Sequence, residues 1–129
     1  MTTLNPETYT DGLGELIRAY RLYIGLSQRA MAMRLDKDRR DYQRIENGQD
    51  SCPPGLLGQI IELVDGFDAQ VDAVIAIARR DGGVNIEIDT DPALEWERLV
   101  ADRAAVLAVS DTPATTVTLT MMNTPPKTA

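Results

Sequence analysis

Residues 26–48 read LSQRAMAMRLDKDRRDYQRIENG, and the spacing of their apolar residues predicts two short helices joined by a tight turn. On the second of these helices, Tyr42 and Ile45 share an apolar side. The opposite side is polar and mostly cationic, with Arg39, Arg40, Gln43, Arg44 and Asn47. The stretch therefore predicts a helix with one exposed polar face and an opposite apolar face that packs against the rest of a domain.

The stretch contains two short sequence motifs at a fixed separation, LSQ at residues 26–28 and IENG at residues 45–48. With them, the segment from about residue 14 to residue 64 resembles the lambda-repressor-like (Xre/Cro) helix-turn-helix domains. The apolar positions of the family's motif are occupied here by Met31, Ala32 and Leu35. Two positions depart from that motif. The turn position that is usually glycine in the family is Asp36 here, and after glycine, aspartate is among the residues that best tolerate a left-handed conformation. The next position, which is usually apolar in the family, is Lys37 here.

The resemblance implies that the third helix of the domain lies in the major groove of DNA. The residues assigned to base contacts are Arg39, Arg40, Gln43 and Arg44. The residues assigned to phosphate contacts are Ser27, Gln28, Lys37 and Asn47. The planar guanidinium of arginine suits base reading, because it matches O6 and N7 of guanine. The alternative is that arginines standing among Asp38, Asp41 and Glu46 form a solvated, salt-bridged face.

The resemblance also implies an ion pair between the first helix and the IENG motif. The two residues at these positions are Arg21 and Glu46. If the pair is partly buried, removal of one partner costs about 3–5 kcal/mol, because the other charge is left buried. The alternative is that Arg21 is an exposed residue that contributes less than about 1 kcal/mol.

The charge of the chain has to be counted locally. The 129 residues carry 20 acidic and 13 basic side chains and a net charge of −7, which disfavours nucleic-acid binding by the chain as a whole. However, residues 18–48 contain eight Lys or Arg and four acids, and residues 51–129 contain twelve acids and five bases. Since phosphate responds to the local field, the acidity is separated from the predicted DNA face.

Apolar periodicity predicts five helices in the first 82 residues, two of them beyond the stretch already quoted. The fourth helix follows Pro53 and Pro54, and the fifth is capped by Asp68 and ends before Gly82. We therefore expect a helix-turn-helix DNA-binding domain at residues 1–82, a dimerisation element at residues 83–122 and a frayed tail at residues 123–129. The predicted fold class is mainly α, a five-helix domain with a small strand-helix-strand appendage.

The appendage begins and ends with alternating apolar and polar residues, which predict two strands around a helix from Asp91 to about Val109. Two strands make no stable sheet by themselves. Either they pair in parallel across the helix, or a second copy of the chain completes the sheet. We favour the second arrangement, because domains of this family read two half-sites roughly 34 Å apart. The predicted dimerisation residues are Val84, Ile86, Ile88, Trp96, Val117, Leu119 and Met121. The order of elements also resembles anti-CRISPR-associated autorepressors.

Other classes of protein find little support in the sequence. The chain has no histidine, so it lacks the commonest general base and metal ligand, and we expect neither an enzyme nor a metal or cofactor site. Its single cysteine, Cys52, has no partner for an internal disulfide. A targeting leader and an apolar run long enough to span a membrane are both missing from the pattern. We therefore expect a cytoplasmic protein with no membrane partner.

The resulting functional hypothesis is a sequence-specific regulator, in particular a repressor or autorepressor, that binds an inverted repeat of double-stranded DNA as a homodimer. A protein of a different class stays open. The helical domain and the acidic C-terminal half could instead bind a protein partner such as a toxin, as an antitoxin or adaptor does.

Overall fold

The computed structural model describes residues 7–122, and these residues are mainly helical, as predicted. Three short helices are followed by a long helix, a strand, a fifth helix and a second strand. The bounds are α1 Gly14–Ile24, α2 Gln28–Arg34, α3 Arg39–Glu46, α4 Leu56–Asp81, β1 Val84–Ile88, α5 Glu95–Val109 and β2 Val117–Met121, with a 3-10 turn at Pro92–Leu94. The expected frayed tail, residues 123–129, lies outside the described residues.

Side-chain caps begin α2 and α3. Ser27 Oγ accepts a hydrogen bond from the Ala30 N–H at 3.1 Å, and Asp38 Oδ1 accepts one from the Arg40 N–H at 2.8 Å. Asp36, between the two helices, has a φ of 53°, a left-handed conformation that aspartate tolerates better than most residues. The turn between α2 and α3 therefore forms without glycine.

The chain divides into two compact units, Met1–Gly66 and Phe67–Ala129. The core of the first unit consists of apolar side chains from α1, α2, α3 and the start of α4, including Ile17, Ile24, Met31, Tyr42, Ile45, Leu56, Leu57 and Ile60. Gly14 begins α1 against the end of α3, since a Cβ on Gly14 would lie 2.5 Å from the carbonyl oxygen of Glu46. This close approach fixes the position of α3 in the unit.

α4 is one continuous helix where we predicted a fourth helix and a fifth helix capped by Asp68, so that prediction is wrong. Its buried side chains continue at three- and four-residue intervals, at Leu57, Ile60, Val64, Phe67, Val71, Ile75 and Ala78. An unbroken apolar stripe outweighs a single glycine such as Gly66, which costs only about 1 kcal/mol in a helix. The division between the compact units falls inside α4 and differs from the predicted boundary after residue 82.

The second unit contains a two-stranded parallel sheet, in which Val84 lies opposite Val117 and Ile88 lies opposite Met121. α5 connects the two strands and contacts both of them. The strands thus pair within one chain and across the helix, which is the arrangement that we did not favour. A helix packed on two strands supplies the burial that the strands lack alone.

Two of the predicted dimerisation residues lie in the core of the second unit, which corrects their assignment to a surface. Ile88 is 4% exposed and Trp96 is 7% exposed. The Trp96 indole donates a hydrogen bond from Nε1 to Gln70 Oε1 at 2.9 Å, and its ring meets the Phe67 ring edge-on at 5.6 Å. The remaining residues of that set are half-buried or exposed: Val84, Ile86, Val117, Leu119 and Met121.

Candidate nucleic-acid interface

α3 has two sides of opposite character. Tyr42, Ile45 and Glu46 are buried against the first unit. On the other side the structure places all five of the polar residues that the sequence assigns there, and four are exposed while Gln43 is half-buried. We call this side the polar face of α3, and it consists of Arg39, Arg40, Gln43, Arg44 and Asn47. The helix is thus anchored on one side and open to a ligand on the other.

Four residues of the polar face line a shallow concavity together with one residue that the sequence did not predict for the site. The lining residues are Arg40, Gln43, Arg44, Asn47 and Gln49. Gln49 joins them because the chain reverses at Gly48, whose φ is 81°. The signal for this residue was present in the sequence, since a glycine directly after a helix commonly returns the chain towards it.

Arg21 and Glu46 form a bidentate ion pair between α1 and α3. Arg21 Nε lies 3.0 Å from Glu46 Oε2, and Nη2 lies 2.7 Å from Oε1. The side chains are 11% and 2% exposed. Burial acts to raise the pKa of the Glu46 carboxyl, but hydrogen bonds, chiefly from Arg21, bring that pKa below its usual value. The pair is therefore a charged, buried contact that connects α1 to α3 beneath the polar face.

Two glutamine side chains connect this ion pair to the polar face. Gln28 Nε2 donates to Glu46 Oε1 at 3.2 Å, and Gln43 Nε2 donates to Gln28 Oε1 at 2.9 Å. Because a carboxylate only accepts hydrogen bonds, Gln28 must turn its amino group to Glu46 and its oxygen to Gln43. Gln43 is then left with its oxygen and a second N–H for a ligand. Gln28, assigned to phosphate from the sequence, is hydrogen-bonded to both of these side chains, and its contact with phosphate stays a prediction.

Arg44 is paired with an acid that the sequence analysis did not consider. Its Nε and Nη2 donate to the two carboxylate oxygens of Asp50 at 2.9 and 3.1 Å. These hydrogen bonds raise the pKa of the Arg44 guanidinium and lower the pKa of the Asp50 carboxyl. One arginine of the polar face is therefore salt-bridged, but not to Asp38, Asp41 or Glu46, the acids that the alternative interpretation named.

The other two arginines of the polar face are exposed and carry no such pair. Within residues 7–122, neither Arg39 nor Arg40 forms an ion pair with an acidic side chain. Asp38, the acid next to them, accepts hydrogen bonds from the N–H groups of Arg40 and Asp41 and so caps the helix. Two cationic side chains are thus available to an anion.

The residues assigned to phosphate are not all brought together. Ser27 is exposed, although its hydroxyl oxygen caps α2, and Asn47 lies on the polar face. Lys37 lines a separate concavity with Tyr9, Asp41 and Asp50 among others. The structure therefore separates Lys37 from the concavity that holds Asn47.

Residues 7–122 contain no group of three or more Cys, Asp or Glu side chains arranged to hold a metal ion. In the same residues, every helix is either too short or too polar to cross a bilayer.

Comparison with known proteins identifies the N-terminal part of the chain. Residues 12–74 match the model of a family described as a helix-turn-helix domain, consistent with the Xre/Cro resemblance seen in the sequence. The chain has no significant match among curated proteins. The family match does not extend to α5 and the strands, so the resemblance to anti-CRISPR-associated autorepressors stays a prediction. The N-terminal domain is a helix-turn-helix domain, and such a domain indicates DNA binding.

Proposed function

We propose that the helix-turn-helix domain of this chain binds double-stranded DNA sequence-specifically and that the protein regulates transcription. α3 lies in the major groove of the bound DNA, with its polar face towards the base edges. The observation that carries the proposal is the arrangement of α3, whose back is buried while Arg39 and Arg40 on its front are exposed. If these charges served only to stabilise the protein, α3 would not need a buried side opposite an exposed cationic side.

The side chains of the polar face match the hydrogen-bonding groups of particular bases. Arg39, Arg40 and Arg44 carry planar guanidinium groups that donate to O6 and N7 of guanine, and each such contact discriminates by about 1–3 kcal/mol. Gln43 offers an oxygen and an N–H, which match N6 and N7 of adenine. The hydrogen bond from Gln43 to Gln28 supports this role, because it holds the amide in one orientation.

Phosphate contacts come from the edges of this surface. The exposed hydroxyl of Ser27 and the amide of Asn47 are donors at suitable positions on α2 and α3. Gln28 also acts through Gln43, whose amide it orients. Because cationic side chains dominate residues 18–48 while the rest of the chain is acidic, binding is confined to this one face and weakens steeply with salt.

The protein acts as a homodimer that represses by occupying an inverted repeat. One recognition helix contacts only a few base pairs, so specific binding uses two half-sites about 34 Å apart. Large apolar side chains exposed on the second unit support self-association there. They include Val106, Leu107, Val109 and Leu119. Repression then follows from occupancy and protein concentration, as in autorepression, and requires no catalysed reaction.

Selection of bound fragments from a random DNA pool, at two salt concentrations, tests this proposal. We expect a palindromic consensus whose affinity falls steeply as salt rises, because each phosphate contact releases counterions. Recovery of no preferred sequence would contradict the proposal and would favour a protein-binding adaptor.

A further inference from the structure

The way the chain leaves α3 places Asp50 beside Arg44. Gly48 has a φ of 81°, and the chain reverses there. The N–H groups of Gln49 and Asp50 then donate to the carbonyl oxygen of Arg44 at 2.9 and 3.1 Å. The main chain of Asp50 is thus fixed to the residue whose side chain it also binds.

The Asp50 carboxylate occupies only one edge of the Arg44 guanidinium. The occupied edge consists of Nε and Nη2, which donate to the two carboxylate oxygens. A guanidinium has five N–H donors in a planar fork. The edge that joins Nη1 to the outer N–H of Nη2 therefore stays available, and Arg44 lines the concavity of the polar face. The group is oriented without losing the donors that a base would use.

We propose that Asp50 is a positioning residue that fixes Arg44 for reading guanine, and that it thereby sets the base preference at one position of each half-site. This inference rests on the proposed function. The free edge of Arg44 has two donors, and guanine presents two acceptors, O6 and N7, to the major groove. Adenine presents one acceptor and one donor there, so it satisfies only half of that edge.

The exposure of the pair fits a role in orientation better than a role in stability. The side chains of Arg44 and Asp50 are 49% and 43% exposed, and exposed ion pairs contribute little to folding. A restrained side chain, however, gives up less freedom when it binds. Without Asp50, the cost of immobilising Arg44 weakens the contact by about 2- to 12-fold, and the freed guanidinium is able to turn to phosphates or to other bases.

The experiment compares base preferences of variants in the random-pool selection. Asp50→Asn removes the charge and keeps the shape of the side chain, and Arg44→Ala identifies the position that Arg44 reads. Asp41→Asn is the matched control, because it removes the same charge from α3, while Asp41 shares no hydrogen bond with Arg44 among the described residues. Thermal unfolding and the circular dichroism spectrum establish that each variant is folded.

We expect the wild type to prefer guanine at the position that Arg44→Ala relaxes. Asp50→Asn should reduce that preference by about 2- to 12-fold and leave the preferences at other positions unchanged. Asp41→Asn should strengthen binding to all sequences alike, because it removes repulsion from phosphate, and should keep the guanine preference. A merely structural role for Asp50 would weaken binding to every sequence equally.

Two results would overturn the inference in distinguishable ways. If the wild type selects guanine through Arg44 and Asp50→Asn keeps the full preference, then the positioning role of Asp50 is wrong while the proposed function stands. If the wild type selects no sequence, then the proposed function is wrong and the inference falls with it.

Discussion

At the scale of single residues, the ion pair between Arg21 and Glu46 is the most consequential contact in the first unit. It joins α1 to α3, and through Gln28 it also determines which way the Gln43 amide points. A charge buried to this degree is stable only while its partner is present. The same two side chains therefore affect both the stability of the domain and the surface that it presents.

Arg21→Ala should destabilise the protein by about 3–5 kcal/mol, because it leaves the Glu46 carboxylate buried without a cation. The matched control is Arg18→Ala, which removes an arginine of the same helix whose ion pair with Glu15 is exposed. That change should cost less than about 1 kcal/mol. Chemical denaturation measures both, and equal effects of the two substitutions would contradict a structural role for Arg21.

The pH dependence of stability should carry the signature of the same pair. Since the pKa of Glu46 is lowered in the folded protein, its contribution to stability is complete above the unfolded pKa of about 4.3. The contribution is lost as pH falls from there through the lower, folded pKa. Denaturation curves from neutral to acidic pH should show wild type losing this stability, and Arg21→Ala should lose less. A variant with the same acid sensitivity as wild type would count against the assignment.

The sequence predicts the residues of the site better than it predicts their partners. The polar face of α3 follows from helical spacing alone, and the resemblance supplies the pairing of Arg21 with Glu46. The partner of Arg44 was missed because Asp50 lies beyond the helix and returns only through the conformation of Gly48. The hydrogen bonds of Gln28 to Glu46 and Gln43 were not predicted, because contacts between side chains distant in the sequence leave no local pattern.

At the scale of elements, the success of prediction depends on whether the signal is local. Ser27 and Asp38 are residue types typical of helix caps and directly precede α2 and α3, so the starts of these helices are a local signal. The two strands were predicted from their alternation, but their pairing partner was not, because pairing joins residues far apart in sequence. For α4, a possible capping residue, Asp68, predicts a new helix, but the apolar stripe continues past it and the helix is unbroken.

Two glycines in helices should respond oppositely to alanine. At Gly14, a Cβ would lie 2.5 Å from one backbone oxygen of α3 and 2.9 Å from another, so Gly14→Ala should destabilise by about 1–3 kcal/mol through overpacking. At Gly66, a Cβ would meet nothing within 4 Å, so Gly66→Ala should stabilise the continuous α4 by about 0.5–1 kcal/mol. Thermal denaturation decides both. A destabilising Gly66→Ala would indicate that α4 is broken at that residue.

At the scale of the whole molecule, the chain combines a domain with a cationic face and a second unit of different composition. All of the residues that we assign to base contacts lie in the first unit. The second unit is rich in acids and exposes apolar side chains on α5 and β2. This division suits a protein in which one part binds DNA and the other part binds a second copy.

The proposed homodimer predicts a difference between adjacent residues of β2. Leu119 is 37% exposed and apolar, and Thr118 alternates with it on the strand. Leu119→Lys should place a charge in the dimer contact and yield monomers, whereas Thr118→Lys should leave the dimer intact. Sedimentation velocity measures the oligomeric state, with circular dichroism as a check on folding. A wild-type protein that sediments as a monomer at high concentration would refute the dimer.

The central claim is that the polar face of α3 reads DNA. The most direct test titrates two labelled duplexes, one of the selected sequence and one scrambled. The proteins compared are wild type, Arg40→Ala and Arg18→Ala. We expect wild type and Arg18→Ala to prefer the selected duplex strongly. Arg40→Ala should lose about 5- to 150-fold of that preference, which corresponds to one bidentate base contact. If Arg40→Ala discriminates between the two duplexes as well as wild type does, then α3 does not read the sequence through this face.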